Sequence, residues 1–95
     1  MKLIALYKRP DDSTAFDMAY YDTHLPLLKR VPGLEKTELF KFTRTIMGEE
    51  IYLMAIMHFA DVDARRQAMR SPEMAAAGDN LNTFAEGLVT LLFSD

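Results

Sequence analysis

The chain reads as an α+β domain with the element order β, α, β, β, α, β, and three observations carry that reading. Two short runs, Lys2 to Lys8 and Ile51 to Phe59, are apolar at consecutive positions and so suit central strands covered on both faces. Leu34 to Thr43 alternates only loosely and carries charges on both faces, the mark of an edge strand. A helical run precedes that edge strand and ends at Pro32 and Gly33, a strong stop.

In order, the first strand is broken by Pro10, Asp11, Asp12 and Ser13, and Asp12 or Ser13 can cap a helix whose inward residues are Phe16, Tyr20, His24, Leu27, Leu28 and Val31. Pro26 has no backbone N–H, so this helix is expected to break or restart near Leu25, leaving the His24 imidazole beside a helix end. After the edge strand, Met47 to Glu50 supplies a turn around Gly48 and leads into the second central strand. Asp61 can cap a helix running to about Arg70. Ser71 and Pro72 then spell a fresh start, so Met74 to Ala77 is expected to form a short helical turn ended by Gly78, with Asp79 to Glu86 irregular. Gly87 to Phe93 reads as the last strand.

This is the split βαβ order of ferredoxin-like folds, with four antiparallel strands and both helices on one face of the sheet. Two helices cover only one face. Either Ile51, Leu53, Ala55, Met57 and Phe59 or their alternates would therefore stand in water in a monomer, and pairing with a second copy, sheet against sheet, is the expected way to bury them.

Composition narrows the function. The 95 residues suit a single domain, and with 26% charged residues and a net charge of -3 the chain is ordinary soluble material. A pI near 5.3 and the lack of a Lys/Arg cluster argue against binding nucleic acid. Without cysteine there are no disulfides, thiolate nucleophiles or cysteine metal sites, which fits a reducing cytoplasm. The opening run LIAL is too short for a signal sequence, and no stretch reads as a membrane span. Two histidines without a nearby carboxylate triad argue against a metal, and the isolated glycines against nucleotide binding, so no cofactor is expected.

The stretch FDMAYYDTHLPLLKRVPGL, Phe16 to Leu34, is the candidate site. Tyr20 and His24 stand four apart and share a helix face, where a histidine titrating near neutrality beside a phenol suits proton transfer. The same spacing also suits two core-edge residues with apolar bodies and wet tips. Candidate catalytic residues are thus His24 and Tyr20, with Tyr7, Phe16, Tyr21, Leu27 and Met54 as candidate ligand-binding residues. Asp22 is a possible second-line participant, and the methionines, Met57, Met69 and Met74 among them, suit either an apolar cleft or core filling. His58 reads as a strand-end residue.

The spacing of that stretch after KLIALYKRP, together with SPEMAAAGDN and the ending FAEGLVTLLF, closely resembles the EthD-like proteins of the dimeric α/β barrel superfamily, over essentially the whole chain. The resemblance implies a ferredoxin-like protomer, a two-fold dimer whose sheets form a barrel, and a cleft between helices and sheet. Related barrels include polyketide cyclases, lactone isomerases, cofactor-free monooxygenases and haem proteins, and the namesake belongs to an ether-degradation gene cluster. Two functions follow: a small cofactor-free isomerase, cyclase or dehydratase acting on an apolar oxygenated molecule, or a non-catalytic homodimeric module that binds one.

Overall fold

The computed structural model describes all 95 residues. The elements run β1 (Lys2–Tyr7), α1 (Ser13–Met18), a π-helical segment (Ala19–His24), α2 (Leu25–Leu28), β2 (Leu34–Lys41), β3 (Leu53–Phe59), α3 (Val62–Met69), α4 (Pro72–Phe84) and β4 (Val89–Ser94). Every strand pair is antiparallel and the sheet order is β2-β3-β1-β4, a ferredoxin-like arrangement with β1 and β3 in the centre. The two runs apolar on both sides are the central strands, and the charged one is an edge.

Period-two alternation decides which side chains meet the helices. Leu3, Ala5 and Tyr7 of β1 and Leu53, Ala55, Met57 and Phe59 of β3 are buried beneath them. The alternates form the opposite face, where Ile4 pairs across to Ile56 and Leu92, and Leu6 to Met54. Phe40 and Leu92 at its margins are 42% and 44% exposed, so one chain leaves an apolar sheet face uncovered. His58, next to last in β3 as a strand-end residue, lies on this face, and its Nε2 meets Glu38 Oε1 at 2.6 Å.

The helix starts follow their caps. Asp12 accepts from the Ala15 N–H at 3.0 Å and Asp61 from the Ala64 N–H at 2.8 Å. Ser71 joins two helices: its hydroxyl donates to the Ala68 carbonyl at 2.6 Å and accepts from the Met74 N–H at 3.1 Å. Gly33, at φ +82°, makes the turn out of α2 in a conformation that a residue with a Cβ rarely adopts.

One expectation is refined and one is corrected. The α-helix does restart at Leu25, across a π turn and without a gap: His24 and Leu25 keep helical angles, and the Leu25 N–H reaches back to the Tyr20 carbonyl, an i to i−5 bond. Regular α-helix resumes at Leu25 with proline in its first turn, where a missing N–H costs least. The wide π turn, not a gap in the helix, precedes the proline. Nor does Gly78 end a helix. Helix α4 runs straight through it to Phe84, because Met74, Ala77, Leu81 and Phe84 continue an apolar face at helical spacing well past the glycine, and tertiary packing outweighs its poor propensity.

The alternation predicts opposite outcomes for neighbouring residues. Leu53 is 1% exposed beneath the helices, so Leu53→Asp buries an unpaired charge and should cost about 3–5 kcal/mol or prevent folding. Met54→Asp places its charge on the open face and should keep the native circular dichroism spectrum.

Candidate functional site

Phe16, Tyr20, His24 and Leu28 recur every fourth residue and are all buried. On a regular α-helix that spacing drifts by about 40° per step, so four such residues would wander round the helix. A π turn winds more residues into each turn and cancels part of the drift. The segment Ala19–His24 therefore keeps the whole row facing the sheet.

Aromatic packing holds the row in place. Phe16 meets Tyr7, Tyr52 and Phe84 edge-on at centroid distances of 5.5, 5.7 and 5.4 Å. Tyr20 sits edge-on to Tyr7 at 5.5 Å, and the Tyr20 and His24 rings lie 5.3 Å apart.

Between this row, the inner face of the sheet and α4 lies a cavity of about 260 Å³. Leu3 and Tyr7 come from β1, Met57 from β3, and Met74, Ala77, Gly78 and Leu81 from α4; Met69 and Leu91 border it too. No Lys, Arg, Asp or Glu lines the cavity, whose polar side chains are Tyr7, Tyr20 and His24. Such a space suits an uncharged ligand, since an ion there would lose its hydration without gaining a counter-charge.

His24 is held by its Nδ1, 3.2 Å from the Asn80 side-chain oxygen. With that oxygen accepting, Nδ1 carries the hydrogen and Nε2 keeps its lone pair. Burial holds the imidazole below its ordinary 6.5, with Asn80 and the Ala77 carbonyl acting the other way, so at neutral pH the ring is an uncharged base. The Tyr20 hydroxyl is the one buried side-chain oxygen or nitrogen with no hydrogen-bond partner. Burial raises it to about 12, moderated by the Tyr7 hydroxyl nearby, whose contact falls outside hydrogen-bond geometry. Tyr7 is itself raised, first by burial and then by Tyr20. Both phenols stay protonated at neutral pH, as donors.

Of the sequence candidates, the fold brings Tyr7, Tyr20 and His24 together around the cavity and leaves the others outside it. Phe16 is buried behind Tyr7 and Tyr20. Tyr21 follows and Leu27 precedes an inward residue, so each points about 100° away; Tyr21 is 39% exposed and Leu27 flanks a shallow groove with Arg30 and Pro72. Met54 has the wrong strand parity and belongs to the open face, and Asp22 is exposed. Met57 has the right parity, and with Met69 and Met74 it does border the cavity. The α4 wall, with Gly78, Asn80 and Leu81, is missing from the sequence candidates, although the apolar spacing from Met74 through Ala77 and Leu81 was its available signal. No group of three His, Cys, Asp or Glu side chains is placed to hold a metal ion, and no helix is long and apolar enough to cross a membrane.

The family model for the EthD domain matches residues 8–87. An uncharacterized 11.0 kDa protein from the thcB-thcC intergenic region of Rhodococcus erythropolis is 31% identical over 96 residues, covering 99% of this chain and 92% of the relative. Among solved structures, an ethyl tert-butyl ether degradation (EthD) family protein from Bacillus halodurans superposes with a TM-score of 0.93 at 41% identity, over 99% of this chain and 95% of the other. A dimeric protein of unknown function and ferredoxin-like fold from Bacteroides fragilis matches with a TM-score of 0.65 at 21% identity, over 96% and 90% of the two chains, a likeness of fold alone.

The depressed His24 pKa has a thermodynamic consequence. The unfolded chain, whose histidine titrates near 6.5, takes up this proton more readily than the folded chain, so the contribution of neutral His24 to stability is complete above that pH and declines as the pH falls below it. Urea unfolding between about pH 7 and 5 should show a decline that is shallower in His24→Gln.

Proposed function

The chain belongs to the EthD domain family, and from that premise we propose that it is a small cofactor-free enzyme in which His24 moves a proton on an uncharged, apolar, oxygenated molecule held in the cleft. The observation that carries this reading is the Tyr20 hydroxyl, buried without a hydrogen-bond partner on a residue that lines the cavity and set beside an uncharged imidazole. An unpartnered buried hydroxyl costs about 1–3 kcal/mol, and a ligand oxygen accepting its hydrogen bond removes that cost.

The steps need no oxidant and no co-reactant. The Nε2 lone pair takes a proton from carbon next to a carbonyl, the C–H electron pair moves into the carbon skeleton, and negative charge develops on the oxygen. Tyr20, kept protonated by burial, donates to that oxygen as the charge appears. The imidazolium is disfavoured in its buried setting and so returns the proton readily, to a second carbon in an isomerisation or to a departing oxygen in a dehydration.

The quaternary reading follows from the uncovered face. The dimeric ferredoxin-like relative supports pairing of two copies, and the apolar stripe of Ile4, Leu6, Met54 and Ile56 is the surface that two sheets would bury against each other. Sedimentation at micromolar concentration should show a homodimer, and Met54→Asp should dissociate it while the protomers remain folded; a folded wild-type monomer at that concentration would defeat this assembly.

The chemistry is tested by hydrogen exchange, which requires no knowledge of the final product. Small lactones and cyclic diketones are incubated with the protein in heavy water, and deuterium entry next to the carbonyl is followed by NMR. His24→Gln should keep the fold and slow exchange by about 10² to 10⁴. Tyr20→Phe should slow it less, yet stabilise the ligand-free protein by about 1–3 kcal/mol, since an unsatisfied hydroxyl is removed. If both substitutions change affinity alone, with no catalysed exchange in the wild type, the protein is a binding module.

A further inference from the structure

Gly78 stands at the midpoint of α4, six residues from each end of Pro72–Phe84. Glycine in a helix interior is less favourable than alanine, so a local reason for it is expected. Three ordinary reasons are absent. Its φ is not positive, unlike those of Gly33, Gly48 and Gly87. It does not end the helix. A Cβ built on it meets no heavy atom within 4 Å, so no neighbouring backbone approaches too closely to admit a side chain.

What the missing side chain does leave is space in the cleft. Gly78 borders the same cavity as Tyr20 and His24, and Met74 and Leu81, four residues before it and three after, line that cavity from the same helix face. We infer that Gly78 is a specificity-determining position: its bare backbone admits a ligand built on more than one ring, and a side chain there would reduce the largest ligand the cleft accepts. This deepens the reading of the cleft as a site for an uncharged oxygenated molecule and rests on it. The volume of about 260 Å³ is roughly nine times the share of one water in the liquid, and the four side-chain carbons of a leucine would take a large part of it at that scale.

The test uses acetophenone and 1-acetonaphthone, neutral ketones of one and two rings whose carbonyl can accept from Tyr20, titrated by calorimetry against the wild type, Gly78→Ala and Gly78→Leu. The wild type should bind both. Gly78→Leu should bind acetophenone within a few-fold of wild type and lose at least tenfold for 1-acetonaphthone, with Gly78→Ala in between. Without ligand, Gly78→Ala should melt higher than wild type by about 4–8 °C, the gain expected where only helix propensity changes. Equal affinity of Gly78→Leu and wild type for both ketones would overturn the assignment while leaving the cleft reading intact. A lower melting temperature for Gly78→Ala would also overturn it, by showing that the backbone needs glycine. Failure of both ketones to bind the wild type would instead remove the cleft reading, and this inference with it.

Discussion

The packing of the aromatic row on the first helical segment against Tyr7 is the contact on which the rest of the structure turns. Phe16 touches β1 through Tyr7, the β2–β3 connection through Tyr52 and α4 through Phe84, so one ring joins sheet, loop and two helices of the covering layer. Pairs of this geometry contribute about 0.5–1.5 kcal/mol each beyond their buried area. The direction of the contacts matters as much as their strength. Edge-on packing of Tyr7 against both Phe16 and Tyr20 fixes the rotation of the helix, and that rotation brings the next member of the row, His24, to the cavity wall. Asn80 and Phe84 on α4 then meet the imidazole, through a hydrogen bond and at a ring distance of 5.8 Å.

Electrostatics divide the molecule by position. The polar end of α1 faces away from the cleft: Asp17 accepts from the Tyr52 hydroxyl at 2.8 Å and also from Lys41, whose pKa is raised first by its own hydrogen bond to Asp17. Arg9 and Lys41 lie over the Tyr52 ring at 5.3 and 5.2 Å, and Arg9 also pairs with Glu50. These exposed charges cluster around Tyr52, which the cavity does not include. Phe16 lies between the two regions, with Tyr52 on one side and Tyr20 on the other. The dielectric contrast explains why His24 and Tyr20 shift by desolvation first, whereas Lys41 shifts by pairing.

The fold was legible because it rests on local, periodic signals: consecutive apolar residues mark β1 and β3, and Asp12, Asp61 and Ser71 cap the helices from within three residues. Half of the site was legible for the same reason, since Tyr20 and His24 are neighbours on one segment. The α4 wall was not, because its contribution depends on how two helices separated by more than fifty positions are rotated toward each other. The restart read from Pro26 occurs at Leu25, whereas Gly78 misled: it is a strong local punctuator overruled by the longer apolar pattern, Met74 to Phe84, that continues past it. The row at every fourth residue was itself a readable sign of the π turn, because that period exceeds the 3.6 of a regular helix.

Three local departures from the most stable solution converge on one cavity. The π segment replaces regular helix bonds directly beneath Tyr20 and His24. The Tyr20 hydroxyl forgoes a partner although it is fully buried. Gly78 forgoes helix propensity at the centre of α4. They lie on two facing walls and arise from different physics: hydrogen-bond register, polar desolvation and backbone entropy. Nothing in the packing of the sheet requires them to coincide, since the core around Ala5, Leu53 and Ala55 is built from ordinary apolar residues on regular strands. What they share is the space they border. The π turn aims two polar groups into it, the unpaired hydroxyl leaves it one donor to offer, and the glycine keeps it open, which is the set of conditions that an uncharged ligand with one oxygen acceptor requires.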